Sequence, residues 1–147
     1  MIKLIASDMD GTLLNSNHDI DKDTIVTYSV AFSPDHKELK RVKEMGLTIK
    51  KYNEIVGDIT KMFNTIAVSG THGKTTTSSL ISHVVNNVYG CNYFIGAGNG
   101  YANKENELFV IESDEFNRHF LAYNPTISVI TNIELEHTEC YSDIDDI

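Results

Sequence analysis

The chain has 147 residues, 41% of them hydrophobic and 22% charged, the composition of one ordinary globular domain able to bury a core. Twelve Lys and Arg against twenty-one Asp and Glu leave a formal charge of −9, which excludes nucleic acid as the main partner, because a phosphate backbone needs a basic footprint. Two cysteines are too few for a disulfide framework, no apolar run approaches the ~20 residues of a membrane span, and the first residues are no signal peptide, so a cytoplasmic protein without membrane contact is expected.

In chain order, residues 2–7 form a β-rich run that ends in the polar cluster Asp8-Met9-Asp10-Gly11-Thr12, and 15–24 is a polar, aperiodic linker. Residues 25–32 predict a strand. Ser33-Pro34 signals a helix start, with Leu39, Val42 and Met45 at helical spacing and Gly46 closing it. A short strand over 47–52 follows, then a helix capped by Asn53 whose apolar face is Ile55, Ile59 and Met62. Residues 65–69 predict a strand, 70–75 a turn, and the next stretch a helix with Leu80, Ile81, Val84, Val85 and Val88 on its apolar face and Gly90 at its end. Further strands are expected over 93–95 and 108–111, joined through a glycine-rich connection at 96–100, and a last one of buried type over 127–130. Repeated strand–helix units predict an α/β fold: a mostly parallel sheet flanked by helices, P-loop NTPase-like. Phe94, Phe109, Phe116 and Phe120 are expected in the core, Cys91 and Cys140 as inert thiols, and the acidic tail as a solvated face.

The turn Gly70-Thr71-His72-Gly73-Lys74-Thr75 lies between a strand and an amphipathic helix, the context of a phosphate-binding loop. Its glycines let backbone N–H groups turn inward, and the helix N-terminus adds partial positive charge. Lys74 can reach terminal phosphates, and the Thr75 hydroxyl is placed for Mg²⁺. The spacing is short: Val68 stands where the usual pattern has its first glycine. A tight turn with a solvated lysine is the plain alternative. Glu112 ends one strand, with Asp114 and Glu115 just beyond, and Asn132 and His137 follow the last strand. Ligands of open α/β sheets sit outside the carboxyl ends of the strands. Loop, acid and histidine on that edge suit Mg²⁺–ATP, with oxygen ligands for the metal and His137 for a second ion or a phosphate. Taken singly, Glu112 reads equally as a solvated strand end and His137 as an exposed loop histidine.

Gly70-Thr71-His72-Gly73-Lys74-Thr75-Thr76-Thr77 resembles the ATP loop of the Mur ligases, the amide-bond-forming enzymes of peptidoglycan precursor synthesis. Ile111-Glu112-Ser113-Asp114-Glu115 and Thr131-Asn132-Ile133-Glu134-Leu135-Glu136-His137 resemble the next two family motifs, in order and roughly in spacing. Tyr28-Ser29-Val30-Ala31-Phe32, Phe94-Ile95-Gly96 and Phe116-Asn117-Arg118-His119-Phe120-Leu121-Ala122-Tyr123 are most similar to the branch that joins L-alanine to UDP-N-acetylmuramate. The resemblance covers about 23–147. It implies that 23–63 is the end of a Mur-type N-terminal domain with its connecting helix, and 64–147 the front of the ATP-binding central domain.

The resemblance also implies a reaction on small molecules. ATP phosphorylates a substrate carboxylate to an acyl phosphate, and an amino acid's amine displaces the phosphate. Gly70, Thr71, His72, Gly73, Lys74, Thr75 and Thr76 would hold the nucleotide, with Lys74 on the β- and γ-phosphates. Thr75 and Glu112 would hold magnesium, His137 would help place a second metal, and Asn132 would lie by the substrate. Lys74, Glu112 and His137 form the implied catalytic set. Glu136 stands where most members have Asp before the histidine, and the stretch after Glu115 is a variable one. The family's adenine and amino-acid contacts would fall beyond Ile147, so the chain alone is not expected to complete the amide bond, which needs all reactants held together.

The head of the chain differs. Ile5-Ala6-Ser7-Asp8-Met9-Asp10-Gly11-Thr12-Leu13-Leu14 resembles motif I of the haloacid dehalogenase-type phosphatases, which implies Asp8 as nucleophile and Asp10 as general acid/base. The acidic pair Asp145-Asp146 lacks the glycine-rich setting that family needs. Residues 1–22 are therefore expected to be a phosphatase-like strand and linker joined near 21–23 to a ligase segment, a composite chain. Three readings stand: a Mur-type ligase or its ATP-binding part, a phosphatase using Asp8 and Asp10, and a non-catalytic nucleotide-binding or scaffold chain.

Overall fold

The computed structural model describes residues 24–29, 33, 35–96 and 98–147. The expectations for 1–22, Asp8 and Asp10 included, lie outside the described residues, as do 30–32 and Pro34. The chain divides into two compact units, Met1–Ile55 and Val56–Ile147.

In the first unit, β1 (Ile25–Tyr28) and β2 (Thr48–Lys51) pair in parallel, with α1 (Lys37–Glu44) between them in the chain. The helix begins later than Ser33-Pro34 suggests. The Ser33 carbonyl accepts the His36 N–H at 2.9 Å and its hydroxyl accepts the Asp35 N–H at 3.3 Å, so Ser33 closes a turn ahead of α1 and His36 takes the N-cap. Leu39 is the buried anchor of α1, while Met45 is exposed. The next helix, α2 (Tyr52–Thr60), starts one residue before Asn53. Its start is fixed by Glu54, whose carboxylate accepts the Lys51 N–H at 2.8 Å, the return arm of a capping box. Ile55 and Val56 are buried, whereas Met62 lies past the helix end and is exposed.

The second unit is a five-stranded sheet in the order β5-β4-β6-β3-β7. Its strands are β3 (Asn64–Ser69), β4 (Asn92–Ile95), β5 (Asn99–Tyr101), β6 (Leu108–Glu112) and β7 (Ile127–Ile130), with α3 (Lys74–Val88) between β3 and β4. All pairings are parallel except that of β4 with β5. The glycine-rich connection thus carries an unforeseen strand, which pairs Gly100 with Phe94 and stacks Tyr101 on Tyr93 at 5.8 Å. Central β3 and β6 are near-continuous apolar runs, as strands covered on both faces must be. Val68, Val110 and Ile111 are fully buried, and Val56, Ala67, Phe109 and Ile111 form the core cluster with Ile59, Phe63, Phe94 and Tyr123 against it.

Two expectations about burial are corrected. The side of α3 that buries carries Ser78 and Ser82, while Leu80, Val84 and Val88 are 60–65% exposed. Small residues let a helix pack closely, and these hydroxyls find acceptors inside α3, Ser78 on Lys74 O at 2.8 Å and Ser82 on Ser79 O at 3.0 Å. Strand β7 is not of buried type either: among the described residues it pairs with β3 alone, and Ile127 and Ile130 are exposed.

Residue Gly57 in α2 marks a close approach, since a Cβ there would strike the Ala122 carbonyl. Fully buried Thr60 locks the same contact, donating to Gly57 O at 2.7 Å and accepting the Asn124 N–H at 3.0 Å. Gly57→Ala is expected to destabilise the chain by about 1–3 kcal/mol, the usual range for overpacking. Urea unfolding would show this as a lower midpoint with an unchanged slope.

Candidate functional site

Three strand ends meet on one edge of the sheet: Val68 pairs with Glu112, and Ser69 with Ile130. The loop after β3 turns sharply at Gly70, whose φ is +129° and whose missing Cβ leaves room for the Thr131 hydroxyl and, at 2.8 Å, the Asn132 carbonyl. Only glycine fits there. The segment after β7 then staples the loop. Thr71 N–H donates to Asn132 O at 3.1 Å, His72 N–H to the Asn132 side-chain oxygen at 2.9 Å, and Thr131 Oγ1 to His72 O at 2.6 Å. Thr71 Oγ1 accepts the Glu134 N–H at 2.9 Å and donates to Glu134 O at 3.1 Å. Asn132, expected beside a substrate, here shapes the loop. The His72 ring is exposed and lies 3.8 Å from Glu134 and 3.9 Å from Glu136.

Helix α3 begins at Lys74 with Gly73 as N-cap and no side-chain cap among the described residues, and Thr76 is exposed in its first turn. The Lys74 ammonium meets three acceptors: Gly70 O at 2.6 Å, Glu115 Oε1 at 2.8 Å and Thr71 O at 3.2 Å. Thr75 Oγ1 donates to Glu112 Oε1 at 2.9 Å, and Glu112 Oε2 accepts the Gly96 N–H at 2.8 Å. Glu112 is therefore a bridge between the first turn of α3 and the loop after β4, not a solvated strand end.

The structure groups His137 with Glu115 and Glu136 rather than with the Thr75–Glu112 pair. His137 Nε2 is 3.5 Å from Glu115 Oε1, and one ligand atom from each of the three residues lies within 4.8 Å of the others. Phe116 stands edge-on to the His137 ring at 5.2 Å instead of joining the core. Glu115 is thus the site residue that the sequence did not single out. Two acids, Asp114 and Glu115, follow β6, and strand periodicity ends at Glu112, so nothing in the spacing says which of them turns inward.

What turns Glu115 inward is the backbone that follows. Asn117 and Arg118 have φ of 51° and 56°, left-handed values uncommon for side-chain-bearing residues. Arg118 holds the tail, donating to Asp146 Oδ1 at 2.7 Å, with its guanidinium 4.7 Å from the Tyr141 ring centre. Buried Tyr141 in turn donates its hydroxyl to Glu115 O at 2.6 Å. The acidic tail is accordingly part of the site's support, not simply a solvated face. The hydrogen bond from Arg118, helped by the Ser142 N–H, holds the Asp146 carboxyl below its ordinary pKa. Burial raises the Tyr141 phenol and the Cys91 thiol above theirs, and Cys91 and Cys140 are both free.

Comparison with known proteins gives a consistent picture. The pattern of the Mur ligase middle domain matches residues 68–147. The UDP-N-acetylmuramate–L-alanine ligase of Lactiplantibacillus plantarum is 41% identical over 117 residues, 80% of this chain and 27% of the relative. That of Ligilactobacillus salivarius is 42% identical over 128 residues, 87% of this chain and 29% of the relative. Among solved structures, UDP-N-acetylmuramate-alanine ligase from Thermotoga maritima superposes with a TM-score of 0.68 at 24% identity, over 81% of this chain and 30% of that one. A UDP-N-acetylmuramate:L-alanyl-gamma-D-glutamyl-meso-diaminopimelate ligase from Neisseria meningitides gives 0.68 at 21%, over 82% and 44%. The chain spans between a quarter and a third of the length of those two curated relatives.

Two measurements probe the site's scaffolding. Asn132→Ala is expected to speed hydrogen exchange at the His72 amide and leave the Val68 amide in β3 unchanged, because only the first loses its acceptor. The Arg118–Asp146 pair stabilises the fold at pH above the ordinary carboxyl pKa, and that contribution is lost as pH falls through the lowered folded value. Asp146→Asn is expected to flatten this acid limb of a melting-temperature profile.

Proposed function

The chain belongs to the Mur ligase family, and from that premise we propose that its phosphate loop binds ATP with Mg²⁺. On this reading 64–147 is the front of the ATP-binding central domain, 23–63 the end of the N-terminal domain with its connecting helix, and 1–22 the phosphatase-like segment joined to it. Gly70, Thr71, His72, Gly73, Lys74, Thr75 and Thr76 take the nucleotide. The observation that carries the proposal is Lys74 at the start of α3, on the same sheet edge as the Thr75–Glu112 pair at 2.9 Å.

Each side chain has a chemical task in this reading. The N-terminus of α3 and its first-turn N–H groups favour phosphate oxygens. Lys74 supplies a full positive charge against the terminal phosphates. The Thr75 hydroxyl and the Glu112 carboxylate are hard oxygen donors of the kind Mg²⁺ takes, and they already adjoin. Glu115, Glu136 and His137 form a second group with converging ligand atoms. Bound there, Mg²⁺ would supply charge neutralisation at the phosphates. Asn132 holds the loop in shape and leaves the His72 N–H fixed.

For the whole protein of which such a domain is part, the proposed activity is cytoplasmic, ATP-dependent joining of L-alanine to UDP-N-acetylmuramate, the reaction named for the relatives. Lys74, Glu112 and His137 would be the catalytic set there. This chain corresponds to under a third of those relatives, so nucleotide binding is the activity proposed for it by itself.

Thermal melting with and without Mg²⁺–ATP tests the proposal. A ligand at 100 times its Kd adds about 2.7 kcal/mol, which raises the melting temperature by several degrees in a domain of this size. The rise is expected in the native chain and not in Lys74→Ala, each measured against its own ligand-free baseline. A cooperative melt that ATP leaves unmoved would favour a scaffold without a nucleotide.

A further inference from the structure

The lysine of the phosphate loop is fully engaged with protein acceptors. Its ammonium has three N–H donors, and Gly70 O, Glu115 Oε1 and Thr71 O take them at 2.6, 2.8 and 3.2 Å. Two of these acceptors are neutral carbonyls of the loop itself. The third is a carboxylate from 41 residues further along, and it carries the charge.

Glu115 is held in this position from several directions. Its side chain is 13% exposed and that of Lys74 17%, so the pair is shielded from solvent far more than a surface ion pair. Its carbonyl is fixed by the Tyr141 hydroxyl at 2.6 Å and by the Arg118 N–H at 2.9 Å. Its second oxygen, Oε2, is buried with no hydrogen-bond partner among the described residues, a costly arrangement that the charge of Lys74 offsets. A carboxylate oxygen 2.8 Å from an ammonium is also close chemistry to a phosphate oxygen at the same distance.

Resting on the nucleotide reading above, we propose that Glu115 is an internal stand-in for the nucleotide's phosphate, a positioning residue that keeps Lys74 folded onto the loop until phosphate displaces it. The contact has two effects on binding. Glu115 keeps Lys74 beside the carbonyls it has in the ligand-free loop. It also competes with every incoming phosphate for that ammonium, and its charge repels the phosphate as well. Neutralising the carboxylate while keeping its shape removes the charge repulsion and weakens the competition, since an amide oxygen is a poorer partner for the ammonium than a carboxylate.

The test is equilibrium titration with ATP in EDTA, so that no contribution of the carboxylate to a metal enters. It compares the native chain with Glu115→Gln, Lys74→Ala and the double variant. Glu115→Gln is expected to bind ATP tighter by a factor on the order of ten, and most of that gain is expected to vanish in the Lys74→Ala background. Melting supplies a readout that a merely structural role would not produce: Glu115→Gln lowers the ligand-free melting temperature, and saturating ATP removes the deficit. If Glu115→Gln does not fold cooperatively, Glu115→Asp, with less reach to Lys74, is expected to bind ATP tighter than the native chain, and equal or weaker binding overturns the stand-in. ATP binding by the native chain with equal or weaker binding by Glu115→Gln overturns the stand-in and leaves the nucleotide reading intact. Binding by neither in EDTA overturns the stand-in, and the nucleotide reading falls with it where Mg²⁺–ATP also leaves the native melting temperature unmoved. Binding by Glu115→Gln alone supports both.

Discussion

Everything at the candidate site depends on the register of β3 between β6 and β7. Val68 opposite Glu112 and Ser69 opposite Ile130 bring three chain exits to one line. The ladder continues past the strands, with Ser113 N–H on Val68 O at 2.8 Å and Thr131 N–H on Ser69 O at 3.0 Å. A slip of one residue would turn every side chain of a strand to the opposite face. It would part Thr75 from Glu112 and Lys74 from Glu115 together. The buried run of Val68, Val110 and Ile111 fixes the register, so the apolar core and the polar edge are set by the same pairing.

Much of this was legible in the residues, for definable reasons. The strand–turn–helix around Gly70 to Lys74 announces itself because glycine chemistry, apolar run and helical pattern change within a few residues. The parallel α/β class follows from the repeated unit. The outward side of α3 was not legible, because Leu80, Ile81, Val84, Val85 and Val88 read as one stripe, and periodicity does not say that Ser78 and Ser82 will be preferred against the sheet. The exposure of β7 depends on which strands pair with it, which no local pattern encodes. Asn99 to Tyr101 was hidden by its glycine, since a short antiparallel edge strand and a loop share that composition.

The site residues divide in the same way. Lys74, Thr75 and Glu112 could be placed from strand and helix ends. The resemblance places Asn132 by the substrate, and the structure adds that it accepts the His72 N–H, a long-range contact that spacing does not reveal. No local pattern marks Glu115, because its inward turn is imposed by Asn117, Arg118, Tyr141 and Asp146 acting together. The fold likeness to the ligases of Thermotoga maritima and Neisseria meningitides, at 24% and 21% identity, speaks for the sheet and its connections. Family membership rests instead on the middle-domain pattern, which covers more than half of the chain.

The left-handed backbone at Asn117, Arg118 and His137 has a consequence for anyone seeking a sturdier protein. These three residues flank Glu115 in the chain or adjoin it in space, with φ between 50° and 56°. Conformations of this kind cost of order 1–3 kcal/mol each and are retained where surrounding contacts over-determine them. Glycine at any of them would relieve the steric cost, yet at Arg118 it would release the tail and at His137 remove the ring beside Glu115. Asn117, whose side chain bears least on the carboxylate, is the position at which thermal robustness and an intact phosphate edge are most nearly compatible.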